Sequence, residues 1–540
     1  MTLGELLRRV PEARLQGDPS LPVTDVTYDS RRVSPGSLFV AIRGAVTDGN
    51  RFVDAARKKG AAAIVSEQAP EGAGPWVQVP DAREALALFS AAVLRDPAQS
   101  LRLIGVTGTN GKTTTTYLID AALRAAGHTV GLLGTVHYRV GGRLVEASRT
   151  TPESSDLQAL FRQMVDEGCT DAVMEVSSHS LELKRVHGCA FQVAVFTNLT
   201  RYHLDFHGDM ESYFAAKRRL FDTYLREDGH AVINADDDRA PALTAAARGK
   251  VWTYSIEGAS EAGFTPPGAA VRPRGMSGGE FTSSPQKMRA GGLGGAPLAP
   301  PSSKTPKADV SASGIALSLK GTRFRTRTPR GEFDVETPLI GRFNVENFLA
   351  GLTAALALDI DPAVALRGLL TMTGVPGRLE RVNAGQDFAV IVDYAHTDDA
   401  LKNLLETVRE LKPRRLITVF GCGGDRDRTK RPLMGAVASR LSDVVVVTSD
   451  NPRSEPPEAI LDEIQRGMPN GTRRGERYAI VDRREAIGRA LEMAGPGDAV
   501  VIAGKGHETY QVLRDRTVPF DDRQVARELI AGLSLRGRKA

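Results

Sequence analysis

Residues 101–127 read LRLIGVTGTNGKTTTTYLIDAALRAAG, and the order of their parts decides the fold. "LRLIGV" is short and apolar, as a buried strand is; small residues follow; then Leu118, Ile119, Ala122 and Leu123 recur at helical spacing until Gly127 ends the run. Strand, glycine loop, helix is the opening unit of a doubly wound sheet. The loop between them has the parts of a phosphate cradle. Small residues let backbone N–H groups converge on phosphate oxygens, a helix N-terminus points its partial positive charge at them, Lys112 neutralises charge, and Thr113 or Thr114 can reach Mg²⁺. Counting back from Gly111, the first glycine of the strict pattern is replaced by Val106, with Gly105 beside it.

Working outward, further strand-like runs at 172–176, 193–198 and 231–234 alternate with helices, which predicts a mostly parallel central sheet over 101–373. Residues 1–100 alternate short apolar runs (37–42, 61–65) with helix-like stretches such as 83–94 and predict a small α/β domain. A third, Rossmann-like α/β domain is expected over 374–540, with strands at 389–392, 416–420, 444–448 and 499–503. Between 258 and 307 the composition collapses into Gly, Pro, Ser and Ala, too poor in apolar surface to offset its ordering entropy; this predicts a disordered insertion.

A chain of 540 residues is too long for one core and suits three domains. A net charge of +5 with no dense Lys/Arg block argues against a nucleic-acid or membrane surface and for small acidic substrates. Three cysteines, Cys169, Cys189 and Cys422, widely spaced and without a CxxC pair, point to neither disulfides nor zinc but to a reducing cytoplasm. No apolar run approaches the ~20 residues that span a bilayer, and the N-terminus lacks a signal-peptide pattern.

Taken further, "TGTNGKTT" resembles the nucleotide loop of the Mur ligase family, ATP-dependent amide-forming enzymes of peptidoglycan assembly. Other family-like segments follow in order: "DSRRVSPGSLFVAIRG", "TTP", "MEVSSHSL", "FTNLTRYHLDFHGDMESYFAAKRRLF", "GRFNVEN", "VPGRLERV", "VDYAHTDDAL", "GCGGDRDRTKRPLMG", "SDNPRSE" and "GKGHE". They cover nearly all of the chain outside the insertion. The resemblance implies that the first domain binds uridine diphosphate, the second ATP and the third an amino acid.

Residue by residue, it implies a nucleotide loop of Gly108, Thr109, Asn110, Gly111, Lys112, Thr113 and Thr114, with Asn344 and Asn347 toward adenine. Arg378, Asp393 and His396 would reach ATP when the third domain closes. Thr114, Glu175 and His203 would hold two Mg²⁺ ions together with Lys217, which matches a lysine the family carries as a carbamate (N6-carboxylysine). Lys112, Glu175, His203 and Lys217 would thus carry the catalysis. Physically, a carboxylate attacking a γ-phosphate brings two anions together, and cations must offset their repulsion.

Within the family, "DSR" and "LFVAIRGAVTDG" resemble the branch that makes the muramoyl tripeptide, which implies uridine-nucleotide contacts from Ser30, Gly44, Ala45, Val46 and Thr47. Ala45 and Val46 replace a polar pair of some relatives, so only their backbone carries over. Thr150, Thr151, Ser177 and Arg185 match residues that hold the muramoyl dipeptide, whereas Leu183 stands where a Gln is common; Phe343 likewise stands where a His often precedes the first Asn. "DNPR" (Asp450, Asn451, Pro452, Arg453), with Arg426, Gly504 and Glu508, would form the acceptor pocket. Meso-diaminopimelate, the acceptor that the resemblance implies, differs from lysine by one carboxylate, and a guanidinium forks onto a carboxylate through two parallel bonds, the contact expected of Arg453. The expected product of phosphoryl transfer is an acyl phosphate, with no evident base for the acceptor amine. A monomer is expected. The rival readings are a lysine-adding homologue, a folylpolyglutamate synthetase-like ligase, for which the "DSR" domain has no use, and a P-loop ATPase switch.

Overall fold

The computed structural model describes residues 1–44, 47–70, 72, 74–200, 204–256, 308–468 and 476–537. The insertion expected at 258–307, His203, and Ala45 with Val46 lie outside the described residues.

The described residues are α/β, built on three sheets of five, eleven and six strands and a two-stranded ribbon. In the central sheet the strand Arg102–Thr107 lies between Phe191–Phe196 and Asp171–Glu175, parallel to both. Val130–Leu133 extends the parallel run on one side, and Leu225–Asn234, Lys250–Ile256 and Val310–Ser318 extend it on the other. Antiparallel hairpins close both edges. The parallel strands are covered on both faces, so they read as continuous apolar runs without alternation.

Helix Lys112–Ala125 packs Leu118, Ile119, Ala122 and Leu123 onto this sheet. Beside it, helix Arg342–Ala357 is buried almost all round, from Asn344 to Ala357. Its Gly351 lets Leu118 approach: a Cβ there would sit 3.0 Å from the Leu118 Cβ.

In the six-stranded sheet, Ala389–Asp393, Ala499–Ala503, Leu416–Phe420, Val444–Val447 and Glu476–Ala479 run parallel in that spatial order, with the short strand Glu380–Arg381 antiparallel at the edge. Ala499–Ala503 separates two strands that are consecutive in the chain, which makes its C-terminal end the place where the winding reverses. Ligand crevices in open α/β sheets form at such points. The first domain docks on the central one through polar contacts: Tyr28 and Arg32 reach Asp156 at 3.0 and 2.6 Å, and Lys184 bridges Asp81 and Glu84 at 2.6 and 2.5 Å.

Candidate functional site

The phosphate loop leaves Arg102–Thr107 with Gly108 at φ 150° and Gly111 at φ 86°, a conformation that glycine adopts freely. Its backbone is pinned to the neighbouring strand end: Thr109 N donates to Asn198 O at 2.8 Å, Asn110 N to Asn198 Oδ1 at 2.9 Å, and Thr197 Oγ1 to Asn110 O at 2.6 Å. A Cβ at 108 would overlap Thr197 Oγ1, and one at 111 would overlap Asn347 Oδ1. Gly111→Ala is therefore expected to cost about 1–3 kcal/mol of stability, read from the urea midpoint, and the cost should shrink in an Asn347→Ala background, where the colliding amide is gone.

Asn344 and Asn347 are buried against this loop and satisfied within the protein. Asn347 Oδ1 accepts from Thr115 Oγ1 at 3.3 Å, its Nδ2 donates to Asn344 Oδ1 at 3.0 Å, and Asn344 Nδ2 donates to Ile340 O at 2.9 Å. Here they brace the loop from behind.

Lys112 folds back over the loop and donates to Gly108 O and Thr109 O, both at 2.9 Å. Burial lowers its pKa, Glu175 opposes that shift and Arg378 adds to it, so an arginine of the third domain lies within electrostatic reach of the loop lysine. Glu175, 1% exposed, ends its strand facing the same turn. It accepts from Thr113 Oγ1 at 3.0 Å, Thr135 N at 2.8 Å and Thr135 Oγ1 at 3.2 Å. From the loop, the hydroxyl brought to Glu175 is that of Thr113; none from Thr114 reaches it among the described residues. The residue directly after Lys112 is the one whose position in the first helical turn faces the strand end.

Lys217 lies in helix Met210–Asp222, which is capped by Asp209 accepting from Ser212 N at 2.7 Å. The residue is 1% exposed, and its ammonium donates to Gly108 O at 2.8 Å and stands 4.5 Å from the Tyr213 ring centre. Burial, then repulsion from Lys112, pushes its pKa well below the ordinary lysine value. Two lysines thus meet on one loop carbonyl, that of Gly108, with no carboxylate bonded to either among the described residues.

As a cation site, the donor set fits Mg²⁺. Glu175 is a buried carboxylate whose partners are hydroxyls and one amide, and Mg²⁺ takes one or two carboxylates and completes its shell with water and phosphate oxygens. No cluster of three or more His, Cys, Asp or Glu occurs among the described residues, as such a shell requires none.

Thr151 Oγ1 donates to Glu175 O at 2.9 Å and accepts from Ser177 N at 3.2 Å, and Arg185 Nη1 donates to Thr151 O at 3.2 Å, so these three form one patch beside Glu175. Thr150 Oγ1 lies 3.1 Å from Thr135 Oγ1. Buried Glu153 gathers three guanidiniums, Arg83 at 3.4 Å, Arg149 at 3.6 Å and Arg185 at 3.3 Å, the first of them from the N-terminal domain. Ser30 sits between Tyr28 and Arg32, the residues pinned to Asp156, which places it at the rim of this patch. Gly44 N and Thr47 O close a turn at 2.9 Å, and Arg83 holds Arg43 O at 3.0 Å.

In the third domain, Asp393 ends its strand, and Asp450 and Gly504 follow the C-terminal ends of two others of the parallel set. Asp393 is buried, with Leu379 N and Ala395 N each at 2.8 Å from its oxygens; burial raises its pKa against the pull of Arg378. His396 is held neutral by burial and donates Nδ1–H to Tyr394 O at 2.8 Å. Arg378 stacks 4.8 Å over Tyr394.

Asn451 Nδ2 donates to Glu508 at 2.9 Å, while its Oδ1 accepts from Val512 N at 2.9 Å and Lys505 Nζ at 3.1 Å. Lys505 also reaches Glu508 at 3.0 Å. Arg453 adopts the left-handed conformation at φ 53°, a conformation that strains a residue with a Cβ and that clusters at functional sites. Its guanidinium donates to two backbone carbonyls, Gly424 O at 2.8 Å and Asn451 O at 3.5 Å, and to no carboxylate among the described residues. Pro452 packs against Gly424, and Arg426 is exposed on the same loop. Beneath, fully buried Arg483 pairs with Asp522 and donates to Ser449 O at 3.3 Å and Ala503 O at 3.1 Å, tying two acceptor loops together.

Sequence reasoning passed over Glu153, Thr135, Lys505 and His507. Glu153 follows "TTP" directly, and the last two stand inside "GKGHE", where the segment itself was the signal.

Comparison with known proteins yields three family matches: "Mur ligase family, catalytic domain" over residues 22–93, "Mur ligase middle domain" over 106–277 and "Mur ligase, glutamate ligase domain" over 377–506. The chain is 46% identical over 540 residues to the UDP-N-acetylmuramoyl-L-alanyl-D-glutamate--2,6-diaminopimelate ligase of Solibacter usitatus, covering 98% of this chain and 99% of that one. It is also 46% identical over 541 residues to the ligase of the same name from Gloeobacter violaceus, covering 99% of each. A solved structure of a protein so named superposes with a TM-score of 0.66 at 33% identity over 99% of both chains.

Proposed function

The chain belongs to the Mur ligase family, and from that premise we propose that it joins meso-diaminopimelate to UDP-N-acetylmuramoyl-L-alanyl-D-glutamate at the expense of ATP in peptidoglycan precursor synthesis. The observation that carries the acceptor assignment is Arg453, strained, its guanidinium held on the carbonyls of Gly424 and Asn451 next to the Asn451–Glu508 bond, and without a carboxylate partner among the described residues.

In this reading the loop 108–114 and Lys112 hold the ATP phosphates, with Arg378, Asp393 and His396 on the facing domain. Ser30, Gly44 to Thr47, Thr150, Thr151, Ser177 and Arg185 hold the uridine-nucleotide dipeptide, so that its D-glutamyl γ-carboxylate meets the γ-phosphate beside Glu175. Mg²⁺ held by Glu175, His203, Lys217 as its carbamate, and Thr113 or Thr114 would supply the positive charge that lets two anions approach. The γ-carboxylate takes the phosphoryl group, and the resulting acyl phosphate is attacked by the acceptor amine held by Arg426, Asp450 to Arg453, Gly504 and Glu508; phosphate then leaves. Three free, buried cysteines suit a reducing cytoplasm, and a monomer suffices, because one chain carries every group invoked. No helix among the described residues is long and apolar enough to cross a membrane.

Phosphate release with ATP and the uridine-nucleotide dipeptide, measured with and without meso-diaminopimelate or L-lysine, tests the reading. Release is expected to depend on both substrates and to favour the diacid by about 30-fold or more. Release with neither substrate would identify an ATPase switch instead, and a preference for lysine would identify a lysine-adding enzyme.

A further inference from the structure

His507 is a titratable group the reaction above leaves unused, and it stands where the second half of that reaction takes place. On one side its segment, 504–508, belongs to the acceptor pocket: Gly504 abuts the Asp450 carboxylate, and Glu508 is bonded to Asn451. On the other side the His507 ring packs 5.1 Å from that of Tyr394, whose face carries Arg378, and Gly377 is pressed against the His507 backbone so closely that a Cβ there would overlap its nitrogen. The imidazole therefore lies between the residues assigned to the amine and those assigned to the nucleotide.

Its Nδ1 is buried and has no hydrogen-bond partner among the described residues. Buried polar atoms are nearly always partnered; Nε of Arg378, on the same Tyr394 ring, is the neighbouring orphan among the described residues, so two unpaired groups stand together where the acceptor and nucleotide residues meet. His396, by contrast, has its Nδ1 tied to a carbonyl.

We propose that His507 is the general base that accepts a proton from the acceptor amine as it attacks the acyl phosphate. The inference rests on the ligase reading given above. The amine nitrogen bonds to the acyl carbon, and the bond from that carbon to the phosphate oxygen breaks, its electron pair leaving on phosphate. The acceptor arrives as an ammonium ion and gives up two protons: one departs with phosphate as HPO₄²⁻, and the other passes to the imidazole and on to water.

The surroundings suit the role. Burial, then Arg378, Arg523, His137 and Lys505, push the His507 pKa down to about 4, which leaves the ring neutral at physiological pH. Glu508 lies on the same segment, Tyr394 covers one face, and Arg523 is itself paired with Asp521 and Glu380. His137 belongs to the central domain and touches Tyr117 of the loop helix, so the ring senses both sides of the cleft. An acyl phosphate and the acceptor's carboxylates entering among these cations would offset them and make the ring a better proton acceptor when the amine is in place.

The test separates the half-reactions. Scrambling of ¹⁸O between bridging and non-bridging positions of labelled ATP, with the dipeptide substrate and no acceptor, reports acyl-phosphate formation; single-turnover amide formation with meso-diaminopimelate reports the second half. His507→Gln and His507→Ala are expected to keep scrambling within about threefold of wild type while amide formation falls about 100-fold. Unchanged amide formation, or scrambling lost in step with it in both variants, overturns the assignment. A wild type that scrambles no label fails the ligase reading itself and the inference with it.

Discussion

Lys217→Ala is expected to lose activity by about a thousand-fold or more, and short-chain carboxylic acids such as acetate or propionate are expected to restore part of it. The argument begins with the side chain's position. A buried lysine whose ammonium lies 2.8 Å from a loop carbonyl and is repelled by Lys112 has its pKa pushed well below the ordinary lysine value, which favours the free amine, the form that adds carbon dioxide. Once carboxylated it becomes an anion beside Lys112, and the repulsion between two cations turns into attraction. An added carboxylic acid can occupy the space left by the side chain and stand in for the carbamate, whereas an amine cannot. Rescue by ethylamine but not by acetate would show that the residue acts as a cation, as would a mass unchanged by carbon dioxide under conditions that trap carbamates.

Arg453→Ala is expected to erase discrimination between meso-diaminopimelate and L-lysine, lowering kcat/KM for the diacid by about 30- to 1,000-fold and leaving the value for lysine nearly where it was. This corresponds to roughly 2–4 kcal/mol for a charged bidentate contact in a partly desolvated pocket. The backbone of Arg453 is held in its strained form by a bond from its N–H to Val512 O at 3.1 Å, so the guanidinium is placed before the ligand arrives. Arg453→Lys should recover little, because an ammonium cannot fork. Parallel kinetics on both amino acids are the measurement; a preference for the diacid that survives the alanine change would remove Arg453 from the pocket.

The parts of this molecule that follow from local pattern were legible in its sequence. The strand, loop and helix around Lys112 declare themselves by period and by glycine placement, and the apolar runs of the third domain became its parallel strands because both faces of that sheet are covered. Groups whose role depends on distant neighbours were less visible. Glu153 looks like one more helix-start carboxylate until Arg83, seventy residues earlier, and Arg185 close on it. Lys505 reads as a surface lysine until Asn451, from another loop, is seen to bury it. Which threonine hydroxyl meets Glu175 depends on the face of a helical turn, a matter of about 100° of rotation that a run of four threonines leaves open.

The buried bond between Arg483 and Asp522 has a remoter effect. Asp522 opens the final helix, so the last stretch of chain works as a keystone: its one carboxylate neutralises the arginine that clamps the carbonyls of Ser449 and Ala503. Shortening the tail ahead of that carboxylate would leave an unpaired cation inside the domain, and choice of amino acid would fail at a distance, with every residue that touches the acceptor still in place.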